Sequence, residues 1–180
     1  MASLIDRMIR ASKLDVSLYE EVEADKGSMG QAVTIVVLSS VAGGIGQAGL
    51  LGVKGFILGT ILSLIGWFVW AFLTYIIGTK LLPEPGTKTD MGEMLRTIGF
   101  SSSPGVLRIL GVIPVVGAII SFAVGIWMLV AMIIAVRQAL DYKSTWRAVG
   151  VCIIGFIVYL VIVTFLFAII GVNPAAPPGT

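Results

Sequence analysis

The stretch MLRTIGFSSSPGVLRILGVIP, Met94–Pro114, decides how this 180-residue chain is to be read, because it is the one membrane-like stretch with charges inside it. Between Arg96 and Arg108 all residues are uncharged, but as helix they cover only about 16 Å of the ~30 Å that a span must cross. Counted from Met94 to Ile113, the segment is long enough if Arg96 and Arg108 snorkel toward opposite surfaces. Gly99, Ser101, Ser102, Ser103, Pro104 and Gly105 each weaken an unbroken helix. Pro104 cannot donate a backbone hydrogen bond and disturbs the turn before it, which frees carbonyls that need partners in lipid. Serine hydroxyls stand beside them. The expectation is a kink or non-helical turn at Ser101–Gly105, buried against other helices. The segment either crosses as a broken helix or re-enters.

The rest of the chain sets the solvent for that choice. Hydrophobic residues make up 57% of the sequence and charged ones 12%, with a mean hydropathy of +1.03. A soluble domain needs far more charged surface, so most of this chain is expected in lipid. The net charge of +2 gives no case for a nucleic-acid partner. Histidine is absent and Cys152 is the single cysteine, which removes the commonest metal ligand, any intrachain disulfide and any cysteine cluster. No metal or cofactor is expected. The N-terminus lacks the apolar core and cleavage site of a secretory signal, so no processing is expected there.

Toward the N-terminus, residues 1–27 read as a cytoplasmic amphipathic segment. Leu4, Ile5, Met8 and Ile9 share one helical arc, with Asp6, Arg7, Arg10 and Lys13 opposite. Such a helix lies in the headgroup region, with Arg7, Arg10 and Lys13 near anionic lipid, or packs on the protein's own cytoplasmic face. Ser17-x-x-Glu20 has the form of a capping box opening a second short helix. Glu20, Glu21, Glu23 and Asp25 read as a solvated acidic face, since their spacing lacks the alternating oxygen ligands of a calcium loop.

A membrane domain is expected over 28–172, with spans near 28–51, 55–79, 94–113, 114–136 and 149–172, followed by a short tail, 173–180. Ser28-x-x-Gln31 supplies the first helix start, and Lys54 marks a tight turn into the second span. Gly55, Gly59 and Ser63 recur every four residues, as do Gly117, Ser121 and Gly125. Both stripes are expected to bring helix backbones close, the packing mode that works in lipid. Pro83, Pro85 and Gly86 stop the second span, and Asp90 with Glu93 opens the next helix. Ser144 is the expected cap of the last helix.

The positive-inside rule decides the number of crossings. If 94–113 crosses, the N-terminal segment, the loop with Lys80, Lys88 and Arg96, and the loop with Arg137, Lys143 and Arg147 share one face. Only Lys54 and Arg108 then lie opposite. If it re-enters instead, this asymmetry largely disappears. The reading is therefore an all-α polytopic membrane protein: a five-span helical bundle with a kinked or broken third span, short N-terminal interfacial helices, a cytoplasmic N-terminus and the C-terminus on the opposite side.

No Asp or Glu lies inside an uncharged span, which argues against ion-coupled pumping. No phosphate loop, paired intramembrane carboxylates or nucleophile–base pair occurs, so no catalytic residue is expected. Arg108 is the most informative single charge: it either binds a lipid phosphate or partner carboxylate, or snorkels to the interface.

Three stretches resemble the prokaryotic branch of the Yip family of Ypt/Rab-interacting membrane proteins: RASKLDVSLYEEVEAD at Arg10–Asp25, LRTIGFSSSPGVLRILGVIPVVG at Leu95–Gly117 and WMLVAMIIAVRQALDY at Trp127–Tyr142. The resemblance implies five spans and a cytoplasmic N-terminus. It also implies residence in the cytoplasmic membrane of a prokaryote or in Golgi and ER membranes of a eukaryote. The eukaryotic aspartate-leucine-tyrosine-glycine-proline motif does not occur, since Leu18-Tyr19 is followed by Glu20-Glu21, so binding of a Rab-like GTPase is not carried over. Lipids and other membrane proteins, or further copies of the chain, are the expected partners. Two functions remain: a non-enzymatic scaffold, including a small subunit of a larger membrane complex, or a lipid or small-solute conduit. Small-residue stripes facing other chains favour the scaffold. Polar groups converging with Ser101–Ser103 on a cavity favour the conduit.

Overall fold

Leu58, Ile61, Leu62, Ile65, Phe68 and Phe72 stand exposed along one helix, and Ile119, Phe122 and Ile126 along another. A protein that turns such side chains outward is built for lipid. The computed structural model describes the backbone of residues 3–46, 48–113 and 116–170, and the side chains of 3–45, 57–113 and 116–165. All regular structure among the described residues is helical, without a strand: α1 (Leu4–Ser12), α2 (Val16–Ala24), α3 (Met29–Gly46), α4 (Ala48–Ile76), α5 (Met91–Ser101), α6 (Val116–Ala139) and α7 (Thr145–Ile170). Short 3-10 turns occupy Lys26–Ser28 and a longer 3-10 segment Ser103–Val112, and a π-helical turn at Ile77–Leu81 ends α4. Among the described residues, four helical stretches are long and apolar enough to cross a membrane: Lys26–Ile45, Ile57–Leu81, Val116–Ala139 and Thr145–Phe165.

The unit formed by α5 and the following 3-10 segment threads between these long helices. Asp90 opens it with a reciprocal capping box, its carboxylate accepting from Glu93 N while Glu93 Oε2 accepts from Asp90 N, both at 2.8 Å. The α-helix ends at Ser101, and the 3-10 segment begins at Ser103. Pro104 has no N–H for the Phe100 carbonyl, four residues back. The Ser103 hydroxyl donates to that carbonyl at 2.7 Å, and the Ser101 hydroxyl to Ile98 O at 2.7 Å. Ser101, Ser103, Pro104 and Gly105 are buried, and Ser102 is half-buried. The break sits where backbones come closest. A Cβ on Gly99 would lie 2.8 Å from that of Ala32 on α3, and one on Gly105 would fall on Ser39 Oγ, with Met128 Sδ of α6 3.0 Å away.

Two groups of buried side chains hold the helices together. Ala71 of α4, Met94 and Ile98 of α5, Val136 and Leu140 at the end of α6, and Val151 and Cys152 of α7 form one. The other places Leu18, Tyr19 and Val22 of α2 against Ala32 and Ile35 of α3, Phe100 of α5 and Ala135 of α6. Lipid is as apolar as these side chains, so within the bilayer such contacts depend on close packing and on polar ties. Tyr142 supplies one such tie, donating to Gly78 O and Leu82 O at 2.9 and 2.6 Å. Arg147 Nη1 adds another, donating to Pro83 O at 2.8 Å.

The N-terminal helices pack on the rest of the protein, the second of the two placements expected for them. The α1–α2 pair inserts beside α3, α5 and α6, and the indole N–H of Trp127 donates to Ser12 O at 2.8 Å. Trp127 stands about 18 Å from the Ala139 end of α6 at 1.5 Å per residue, near that helix's midpoint. Arg7 is turned into the protein. It is 5% exposed and donates to Glu21 Oε1, Gln31 Oε1 and Asp25 Oδ2, each at 2.9 Å. Arg10 pairs with Asp15 at 2.8 Å and Glu21 at 2.6 Å, while Lys13 is exposed. Two residues of the acidic run, Glu21 and Asp25, are thus the counter-charge of α1, because a buried guanidinium requires carboxylate partners. Arg96 is likewise buried rather than snorkelled: Nε donates to Val22 O at 2.8 Å and Nη2 to Glu23 O. Its charge closes the carbonyl end of α2, where the helix dipole favours a cation.

Element boundaries shift too. The cap of α2 is Asp15, accepting from Ser17 N at 3.0 Å, rather than Ser17. Ser28 is buried and donates to Asp25 O at 2.7 Å, ending the 3-10 turn before α3. Lys54 lies within α4, and α3 ends at Gly46. Glycine-rich sequence breaks a helix more readily than lysine does, and the AGGIG run precedes that point. The tail 173–180 lies outside the described residues.

Candidate functional site

The inward faces of α3 and α4 carry unusually small residues, and α6 adds a glycine. Ser39, Ser40, Gly43 and Gly44 come from α3; Gly59, Thr60, Ser63 and Gly66 from α4; Gly125 from α6. Together with Ser101 and Ser102 at the helix break, they surround a cavity of about 1030 Å³. This is at the large end of the ~300–1,000 Å³ typical of ligand sites. Trp67, Trp70, Met128, Met132, Phe156 and Tyr159 supply its apolar and aromatic wall. Trp67 is fixed by donating its indole N–H to Leu95 O at 3.2 Å, and Trp70 meets Tyr159 edge-on at 6.2 Å between ring centres. Gly59, Ser63, Ile153, Phe156 and Ile157 line it yet are exposed, so the cavity is open on the side of α4 and α7.

Among the described residues, one charged side chain reaches this space. Arg108, in the 3-10 segment, lies over two glycines: its Cδ is 3.7 Å from where a side chain would begin on Gly43, and its Nη2 4.0 Å from the same point on Gly125. Gly125 is about 14 Å along α6 from Val116, so the guanidinium is well inside the helical layer. It makes no hydrogen bond or ion pair among the described residues. A cation at such depth costs about 2.5–3.5 kcal/mol on insertion scales and marks a site by default.

The two small-residue stripes fall in different surroundings. Gly59 meets nothing within 4 Å, and Ser63 and Gly125 line the cavity. Gly117 is buried against the Gly111 backbone, a local contact at the entry to α6, and Ser121 is half-buried on α6. The surroundings of Gly55 lie outside the described residues. Close contacts within the described residues are made by Gly78 on Leu140, Gly99 on Ala32 and Gly105 on Ser39. Periodicity shows which small residues share a face; it does not show whether that face meets a helix or a space.

A second polar centre lies at the α2 end of the structure. The Arg10 guanidinium, opposed by partial burial and aided by Arg7, holds the Glu21 carboxylate below its usual range. Glu23 goes the other way: burial first, then Asp141, Glu93 and Glu20, push it up to about 7, with Arg96 opposing. Among the described residues, no group of three or more His, Cys, Asp or Glu side chains is placed to hold a metal ion.

Long apolar helices with outward-facing leucines, isoleucines and phenylalanines define an integral membrane protein of the helical, polytopic class. Residues 18–166 match the Yip1 domain, and the chain belongs to that family. No curated protein and no solved structure matches it.

Proposed function

We propose that this Yip1-family protein is a non-enzymatic, five-span membrane protein that admits a lipid or small apolar solute into the cavity between α3, α4, α6 and α7. The observation that carries this reading is the convergence of Ser101 and Ser102 with the inward-facing glycines and serines on one open space. A scaffold would turn its small residues toward other chains, and Gly59, Ser63 and Gly125 face the cavity instead. The third crossing would consist of α5 and the 3-10 segment, with its break level with Met128 near the middle of α6. Arg7, Arg10 and the acidic residues of α2 then anchor an inserted hairpin on the cytoplasmic side.

Filling the space tests this reading. Protein purified from membranes and stripped of loosely held lipid is expected to retain a bound molecule, detected by native mass spectrometry. Ser63→Trp is expected to retain none while melting as the parent does. A parent protein that carries nothing, or a Ser63→Trp variant that carries as much, overturns the proposal.

A further inference from the structure

We infer that the occupant of the cavity is a membrane lipid with a single anionic group, a carboxylate or phosphodiester, which Arg108 binds while the chain runs along α4 toward Trp67 and Trp70. This rests on the reading above and assigns the chemistry of its ligand. Three features support it. First, Arg108 has no carboxylate or carbonyl partner among the described residues, whereas Arg7, Arg10, Arg96, Arg137 and Arg147 each have one. A guanidinium forms its strongest hydrogen bonds to a carboxylate or phosphate oxygen, and its planar fork can engage two at once.

Second, the guanidinium occupies one end of the cavity. Gly125 is the lining residue of α6 nearest Val116, and Gly43 lies near the far end of the α3 lining. Third, the cavity is long: its wall on α4 runs from Gly59 to Trp70, about 16 Å at helical rise. Beyond Arg108 the cavity surface is mainly apolar, with Trp67 and Trp70 of α4 facing Met132 of α6 and Phe156 and Tyr159 of α7. A free inorganic anion would satisfy the cation and leave this length empty of apolar contact. A neutral lipid would fill the length and leave the cation unmatched. An anionic amphiphile matches both, and the opening beside α4 and α7 gives a chain lateral entry from the bilayer.

The probes are palmitic acid carrying a diazirine on its chain and the methyl ester of the same molecule. Each is photo-cross-linked to the full-length protein in detergent micelles at a pH where the acid is ionised, and the adducts are mapped by mass spectrometry. The acid is expected to label the α4 and α7 walls, near Trp67 and Phe156, at least about tenfold more efficiently than the ester, as a charge-assisted hydrogen bond requires. Arg108→Gln should reduce acid labelling to the ester's level, and Arg108→Lys should keep most of it. Equal labelling by acid and ester overturns the anion assignment and leaves the cavity reading standing. No labelling of the wall by either overturns the cavity reading as well. Inorganic phosphate that displaces the acid as effectively as unlabelled palmitate would replace the lipid by a small anion. Arg108 bonds to nothing in the described protein, so Arg108→Gln should melt as the parent does. If it does not, the preserved fold of Arg108→Lys carries the comparison.

Discussion

Two glycine-to-alanine substitutions separate a packed face from an empty one. At Gly105, the new methyl would fall on Ser39 Oγ, with Met128 Sδ at 3.0 Å and Ser39 Cβ at 3.1 Å. Rotating the Ser39 hydroxyl away does not clear the space, because the serine's own Cβ is part of the obstruction and the residue is only 6% exposed. Overpacking of this kind costs about 1–3 kcal/mol. At Gly59, nothing lies within 4 Å, so alanine meets no obstacle and gains up to about 1 kcal/mol of helix propensity on the aqueous scale. The two substitutions are thus expected to differ by about 1–4 kcal/mol, with opposite signs relative to the parent. Reversible unfolding in mixed micelles, followed by helical circular dichroism as the denaturing detergent is raised, measures the difference. A Gly59→Ala variant destabilised as much as Gly105→Ala would show that a helix closes onto Gly59, and the cavity argument would fail with it.

Three further outcomes are expected. Arg7→Ala strips the counter-charge from Glu21 and Asp25, each 34% exposed, so the loss should be about 2–3 kcal/mol rather than the 3–5 of a fully buried pair; Ala11→Cys, buried in the parent fold, should then become reactive to maleimide. Glu23 keeps a proton in the folded protein up to about pH 7, whereas an ordinary glutamate releases it near 4.5, so stability should fall as pH rises through that window and Glu23→Gln should flatten the profile. A reporter fused after Thr180 should read non-cytoplasmic, and a cytoplasmic signal there would reject five crossings.

Much of the α5 region was legible because its signals are local. Asp90 and Glu93 are three residues apart, and Pro104 with its neighbouring serines carries both the fault in the helix and its remedy within five residues. The N-terminal region was not legible, for the opposite reason. Arg7 finds Gln31 twenty-four residues away and Arg96 finds Val22 at a separation of 74, so the sequence displays the charges without their pairing. The same limit applied to Gly59 and Gly125, whose four-residue spacing with Ser63 and Ser121 predicts a shared face. The volume in front of that face depends on side chains contributed by three other helices. Arg108 was conspicuous as a charge in an apolar stretch; its position across Gly43 and Gly125 required the fold.

The bond from Trp127 to Ser12 has a consequence for how the chain is made. Its partners are 115 residues apart, and α2 also docks on Phe100 and Ala135, so α1 and α2 leave the ribosome before the helices that seat them. At ~5–20 residues per second, that interval is roughly 6–23 s of synthesis. Over that time Leu18, Tyr19 and Val22, buried in the finished fold, lack Phe100 and Ala135, and Arg7 has only Glu21, Asp25 and Gln31. The early ion pairs are local enough to close α1 onto α2 during the wait. The hairpin can therefore be delivered as a preformed unit, and its insertion becomes the closing step of assembly.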